Sequence, residues 1–489
     1  MRCVKANRVC GGYEQSVNQV FQRYGKVEQN VGSLESAGRK CSLPVQASSS
    51  DDRGELVDGQ PEEVSDEKAD DYAMRAFFFE FCITAPVTGI PRGYLSSLEP
   101  MLQGQGWQSN LAKACKIVGY ASHSIKLRRP WLARKAELLY QDLLPHLARA
   151  IESPSSTNTF EALMIAMLLG LYEMMLANGY RIEQCSTHAR GVAAILRMQN
   201  TPLNLLAGRS PLLLSIVAQA KSSCHSQSKL KMPVLPSQET KSFITPSGNE
   251  RSPHLDDLLV KLEPIWISAD AFLSNSETTS EECVQLRSRA VVLDQALALW
   301  QETQVKDFRP WIVGHISHSH AGSRVEVGHW PGGADTYFEL YVAYMWNVSR
   351  AARVFLVDLV VKLCQIINDK YDVTREVSDA RRLTEDIVSS IPFHLAEDLH
   401  GFLRNVKMGD QRASIEAGRM SGGLLLMYPV YIVSKLQIVP QPMREYLTDC
   451  LEWIATHMGI GQASLLAKVR TKYAAGFSFD PLSMVAFSG

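Results

Sequence analysis

A chain of 489 residues exceeds a single typical core, so the expectation is one large domain with an appendage, or two to three domains. Its 46% apolar and 21% charged residues exclude wholesale disorder. The net charge of −1 conceals a local asymmetry: residues 1–40 carry seven Lys or Arg against three Glu, whereas 51–71 carry ten acids against Arg53 and Lys68. The ten cysteines, most of them single in apolar helical context (Cys82, Cys115, Cys364, Cys450), do not resemble a disulfide framework and point to a reducing compartment. Arg2, Lys5 and Arg8 break any secretory signal. The longest uncharged apolar run, Ala162 to Tyr172, is eleven residues between Glu161 and Glu173, whereas a membrane span needs about twenty. A soluble intracellular chain with no membrane partner is expected, and the sequon at Asn347 reads as a chance match within a helix.

In chain order, residues 1–13 form a basic, cysteine-bearing tip. Cys3 and Cys10 are separated by six residues, Lys5 and Arg8 among them. Two thiolates cannot close a tetrahedral zinc site. Six cysteines can hold two zinc ions if two of them bridge, and such a core is net negative, so nearby Lys and Arg are favoured and can also face phosphate. The tip suits the final third of such a cluster.

Val17, Tyr24 and Val31 fall seven apart, with Val20, Val27 and Leu34 three residues later in each repeat, which is an a/d pattern. Gly25 and Gly32 each cost about 1 kcal/mol against Ala in a helix, so residues 17–34 read either as a short dimerising coiled coil or as plain linker. Lys40 to Asp71 has little to bury and reads as disordered linker. Order is expected from about Tyr72, through the Phe77–Phe78–Phe79–Phe81 cluster.

Helical periodicity then recurs at 111–120, 131–150, 160–176, 186–199, 258–273, 282–301, 337–371 and 377–390. The helix at Phe160–Leu176 is apolar on nearly every side and therefore needs other helices around it. Pro233, Pro236, Pro246 and Pro253 mark 222–257 as a long loop or internal linker. Gly422 and Gly423, inside a later apolar run, read as packing glycines, with Pro429 bending or ending that helix. Strand alternation and Asn-Gly or Asp-Gly hairpins are lacking, so an all-α body is predicted.

Three candidate constellations remain. His315, His318, His320 and His329 lie between Trp311 and Trp330, close enough for metal ligation, yet no Cys or Asp completes a known spacing and Glu326 is the sole nearby acid. A solvated loop is the expected reading; a helical enzyme using this loop is the rival one. Glu161 and Glu173 read as structural or exposed carboxylates. His188 lies on the apolar stripe of its helix and reads as a packed core histidine, with Gly191 permitting close helix approach.

The run Arg2-Cys3-Val4-Lys5-Ala6-Asn7-Arg8-Val9-Cys10-Gly11-Gly12-Tyr13 resembles the closing arm of the fungal six-cysteine binuclear zinc cluster. Ser186 to Arg197 resembles the His-x-x-Gly-x-x-x-Leu segment of the fungus-specific transcription factor domain, and Arg419 to Tyr431 and Met458 to Ala463 resemble parts of the same domain. In these regulators the cluster reads DNA half-sites in the major groove, a coiled coil sets dimer spacing and the helical domain controls output. The resemblance implies zinc held by Cys3 and Cys10 only where the upstream cysteines exist, since the fourth would fall one position before Met1. Lys5 and Arg8 would then contact DNA. Either the sequence starts late or the cluster has been lost; as written, the chain is not expected to hold a zinc cluster.

The resulting expectation divides the chain into a cluster remnant at 1–13, a linker at 14–71 and a helical regulatory domain at 72–489. It describes a nuclear regulator of RNA polymerase II genes, of a secondary-metabolite or nutrient-response set. DNA in the full-length form, a possible homodimer and transcriptional co-regulators are the implied partners. The alternative is a truncated regulator or scaffold that acts through protein contacts. The family's helical domain has no shared catalytic residues, so no enzyme activity is expected.

Overall fold

The computed structural model describes residues 66–83, 95, 98–152, 156–176, 255–274, 279–317, 324–367, 371–408 and 413–469. The tip at 1–13, the heptads at 17–34, the second helix of the 160–199 hairpin with His188 and Gly191, and the loop at 222–254 lie outside the described residues.

The described chain is built from thirteen α-helices and one two-stranded sheet, in agreement with the all-α expectation. Helices α1 (Asp66–Phe81), α2 (Leu98–Gln105), α3 (Asn110–Lys126), α4 (Pro130–Glu152) and α5 (Ser156–Leu176) form the first layer. Helices α6 (Leu255–Ser274), α7 (Ser280–Thr303), α8 (Leu340–Ile366), α9 (Thr374–Leu395) and α10 (Leu399–Lys407) follow, then α11 (Met420–Lys435), α12 (Gln441–Trp453) and α13 (Gly461–Lys468). Helix α3 packs on α1, α4 and α5, while α8 packs on α7, α9 and α11. One contiguous apolar core runs through both groups.

Local chemistry accounts for several helix starts. Ser109 caps α3 by accepting from Ala112 N at 3.2 Å. A reciprocal capping box opens α7: Glu282 N donates to Thr279 Oγ1 at 3.3 Å and Thr279 N to Glu282 Oε2 at 3.0 Å. Asp398 caps α10 through Gly401 N at 2.9 Å. Helix α5 buries residues from Ala162 to Tyr172 without a break, as its lack of a polar face demands. Each fully buried Leu there contributes about 2 kcal/mol of transfer free energy.

Four expectations change. Helix α1 begins at Asp66, six residues before Tyr72, because Asp70 is already a tertiary contact: Tyr120 Oη donates to it at 2.6 Å, Lys116 Nζ lies 3.0 Å away and Lys135 Nζ 3.3 Å. The helix expected at 337–371 begins only at Leu340, because Tyr337 turns inward instead. Pro429 does not end α11, which continues to Lys435.

The fourth change is the sheet. Strand β1 (Trp311–Ile316) pairs antiparallel with β2 (Gly332–Thr336), Trp311 opposite Thr336 and Ile316 opposite Gly332. Its sequence signal is poor because β2 reads Gly-Gly-Ala-Asp-Thr and a bulge between Ile312 and Gly314 breaks the alternation. Tertiary contact supplies what propensity does not: β2 packs on α9, and Tyr446 Oη of α12 accepts from Gly328 N at 3.0 Å on the returning chain.

Candidate functional site: the buried polar seam of α8

Helix α8 is buried without a break from Tyr341 to Val360. A run so enclosed would ordinarily be apolar throughout, yet it carries Asn347, Ser349, Arg350, Arg353 and Asp358. Buried polar groups require partners, and helical spacing divides these among three neighbours. Asn347 and Arg350, three apart, face α9 and the sheet. Ser349 and Arg353, four apart, face α7.

On the α9 side, Asn347 Nδ2 donates to Ser390 Oγ at 2.8 Å and to His394 Nε2 at 3.2 Å. Accepting at Nε2 makes His394 a neutral imidazole with its proton on Nδ1. Burial drives the His394 pKa down to about 3. Arg350 Nη1 donates to Tyr337 Oη at 2.7 Å and to Asn347 Oδ1 at 3.1 Å. Its guanidinium lies over the Trp346 ring at 5.4 Å.

Asp335 of β2 and Asp386 of α9 stand farther off, each 4.0 Å from Arg350 nitrogens. Burial works against the Arg350 charge, but Tyr337, Asp386 and Asp335 together outweigh it and its pKa rises. Burial dominates at Asp335 and raises its pKa despite Arg350. Arg350 is thus secured chiefly by hydrogen bonds and ring contact, with the carboxylates as a second tier.

On the α7 side, Arg353 reaches Asp294 Oδ1 at 2.8 Å and Gln301 Oε1 at 2.9 Å, and Gln301 Nε2 donates to Ser349 Oγ at 3.1 Å. Farther along, Asp358 Oδ1 accepts from Ile438 N at 3.1 Å and Oδ2 pairs with Lys362 at 2.7 Å. The seam therefore fixes the axial register of α8 against α7, α9 and the sheet. It aligns no nucleophile with a base, and no group of three metal-ligating side chains occurs among the described residues.

Of the candidates that the sequence singles out within the described region, His315 is exposed on β1. His329 is half-buried: its Nε2 donates to Ala413 O at 2.7 Å and its ring meets Phe402 edge-on at 5.2 Å. The loop reading is corrected at His315, which belongs to a strand though it stays exposed; His329 does lie in irregular chain before β2, where it makes a packing contact. Glu161 and Glu173 sit half-buried on α5. Cys3, Lys5, Arg8, Cys10, His188, His318 and His320 lie outside the described residues. Asn347, noted only as part of a sequon, is fully enclosed, and five cysteines (Cys82, Cys115, Cys283, Cys364, Cys450) are buried free thiols. No described helix is long and apolar enough to cross a membrane.

Sequence reasoning missed Arg350, Asn347 and His394. The available signal was the placement of polar residues three and four apart inside the otherwise apolar Leu340–Ile366 run.

No protein-family model matches the chain, and no solved structure matches it. It is 42% identical over 416 residues to the transcription factor dbaG of Emericella nidulans, a match covering 84% of this chain and 94% of that protein. Identity at that level along nearly the whole relative supports transcription regulation as the broad role. The chain belongs to the family of fungal transcription factors that includes dbaG.

Proposed function

We propose that this protein is a nuclear regulator of RNA polymerase II genes whose helical body governs the output of a biosynthetic, secondary-metabolite gene set. The observation that carries the reading is the 42% identity with dbaG along 94% of that transcription factor. Contact with DNA is assigned to the basic tip, with Lys5 and Arg8 facing phosphate. Cys3 and Cys10 supply half the donors of one tetrahedral zinc. Within this sequence they do not make a complete site, and zinc binding there requires further cysteine ligands. Homodimerisation is assigned to the heptads at 17–34.

Chromatin immunoprecipitation with transcript profiling of a strain lacking the gene tests the proposal. A set of neighbouring biosynthetic genes that loses expression and is occupied by the protein is the expected result. Unchanged transcripts with no occupied promoter would overturn it. A second reading is a regulator recruited by other proteins without touching DNA. It predicts that Cys3→Ala and Arg8→Ala leave promoter occupancy intact.

A further inference from the structure

Strand β1 has one hydrogen-bonded neighbour, β2, and β2 is the inner strand, packed on α9. The outer edge of β1 carries no strand among the described residues. Three consecutive large apolar side chains stand exposed there: Trp311 at 51%, Ile312 at 64% and Val313 at 39%. The bulge explains why exposure does not alternate, since the extra residue lets neighbouring side chains face outward together. An exposed apolar edge without an inward charge or proline is a template for another strand.

Charge selects the occupant. Lys306 Nζ lies over the Trp311 ring at 5.6 Å. Leu403 of α10 sits beneath Gly314, and the exposed Arg404 and Lys407 follow it at the next residue and the next turn. Neither β1 nor α10 contains an acid, and Asp307 is the only one between Lys306 and Ile316. Pairing this edge with a second copy of itself would bring two basic rims together, which costs rather than stabilises. An acidic partner reverses that sign.

We propose that the outer edge of β1, with the basic end of α10 beside it, docks an extended acidic–apolar peptide of a partner protein as an added strand. Main-chain hydrogen bonds to the edge would supply affinity, and alternating side chains would place apolar groups on Ile312 and Val313 and carboxylates toward Lys306, Arg404 and Lys407. The regulator reading enters only in naming a co-regulator as the source of the peptide. Failure here would leave promoter occupancy, and hence that reading, untouched.

The test is fluorescence anisotropy of the full chain with a labelled peptide alternating Asp and Leu, against the Lys–Leu version and a version with proline at alternate positions. Saturable binding of the Asp–Leu peptide alone is expected. It should weaken at least about tenfold in Ile312→Asp and about fivefold in the Arg404→Glu, Lys407→Glu double variant. Unchanged circular-dichroism melts show that both variants fold. Absent binding, equal binding of the Lys–Leu peptide, or full affinity in both variants would overturn the proposal. So would a dimer that Ile312→Asp dissolves while no peptide binds, which would assign the face to a second copy.

Discussion

The carboxylate of Glu80 accepts a hydrogen bond from the backbone N–H of Met420 at 2.8 Å, joining residues 340 positions apart. Its other oxygen takes Lys126 Nζ at 2.6 Å, and the same ammonium donates to Gly418 O at 3.1 Å. A buried anion thus sits at the N-terminus of α11, where the helix dipole favours it. Arg419 covers the exposed Phe79 ring at 4.9 Å. The N-terminal layer is thereby clamped onto the helix whose sequence carries the family resemblance.

Removing that clamp should be costly. Glu80→Ala leaves the first N–H of α11 and the half-buried Lys126 without their anion, and a stability loss of about 2–3 kcal/mol is expected from charge-assisted hydrogen bonds of this kind. Glu80→Gln should lose less, because an amide oxygen still accepts from Met420. Urea midpoints of the full chain measure the difference. Equal losses for the two variants would show that the hydrogen bond an amide oxygen can still accept contributes nothing.

Adjacent glycines should respond differently. A Cβ at Gly422 would collide with the carbonyl oxygen of His394, which belongs to the backbone of α9. At Gly423 the first obstacle is the Met458 sulfur at 2.6 Å, part of a flexible side chain that can give way. Gly422→Ala should therefore force α11 and α9 apart and cost about 3 kcal/mol or more, and Gly423→Ala about 1 kcal/mol. Melting curves of the two variants test the order.

Acid should weaken the fold through His394. Its folded pKa of about 3 lies below the ordinary 6.5, so the unfolded chain binds the extra proton between these values. This contribution to stability is fully present above pH 6.5 and is lost as pH falls toward 3, with a slope of up to about 1.4 kcal/mol per pH unit. Arg350 strengthens the effect because a second cation beside it is unfavourable. Denaturation at a series of pH values should show a shallower acid slope for His394→Asn than for the unaltered chain.

Arg350→Ala removes the partner of the enclosed Tyr337 and Asn347 and leaves Asp335 buried beside an empty space. A loss of about 3–5 kcal/mol is expected. The double variant Arg350→Met, Asp335→Asn should recover part of it, and a double-mutant cycle from urea midpoints gives the coupling. Additive losses would place the two residues in separate networks.

The buried thiols should be inert in the folded chain. Burial raises the pKa of Cys82, Cys115 and Cys450, so thiolate is scarce as well as inaccessible. Alkylation mapped by mass spectrometry should spare these three in native buffer and modify them in urea.

Much of the helical layout is legible in the sequence, because apolar residues at helical spacing mark the buried stripe directly, as in Trp131–Ala150 and Glu282–Gln301. Gly422 is readable as a packing glycine for the same reason. The start of α1 is obscured because Asp66 to Asp71 looks like the end of an acidic linker. Only the placement of Tyr120, Lys116 and Lys135 makes Asp70 part of the fold. The hairpin is obscured because β2 has almost no strand propensity and is held by α9 and α12.

The all-α class and the family can be read along the chain, since periodicity and local motif are properties of contiguous residues. The roles of the polar residues cannot, and they emerge only from the packed helices. Arg350, Asn347 and His394 are ordinary letters until α8 and α9 lie side by side. Partnership across dozens or hundreds of positions is set by packing, and packing is where burial turns a hydrogen bond or a charge from a surface detail into a determinant of register.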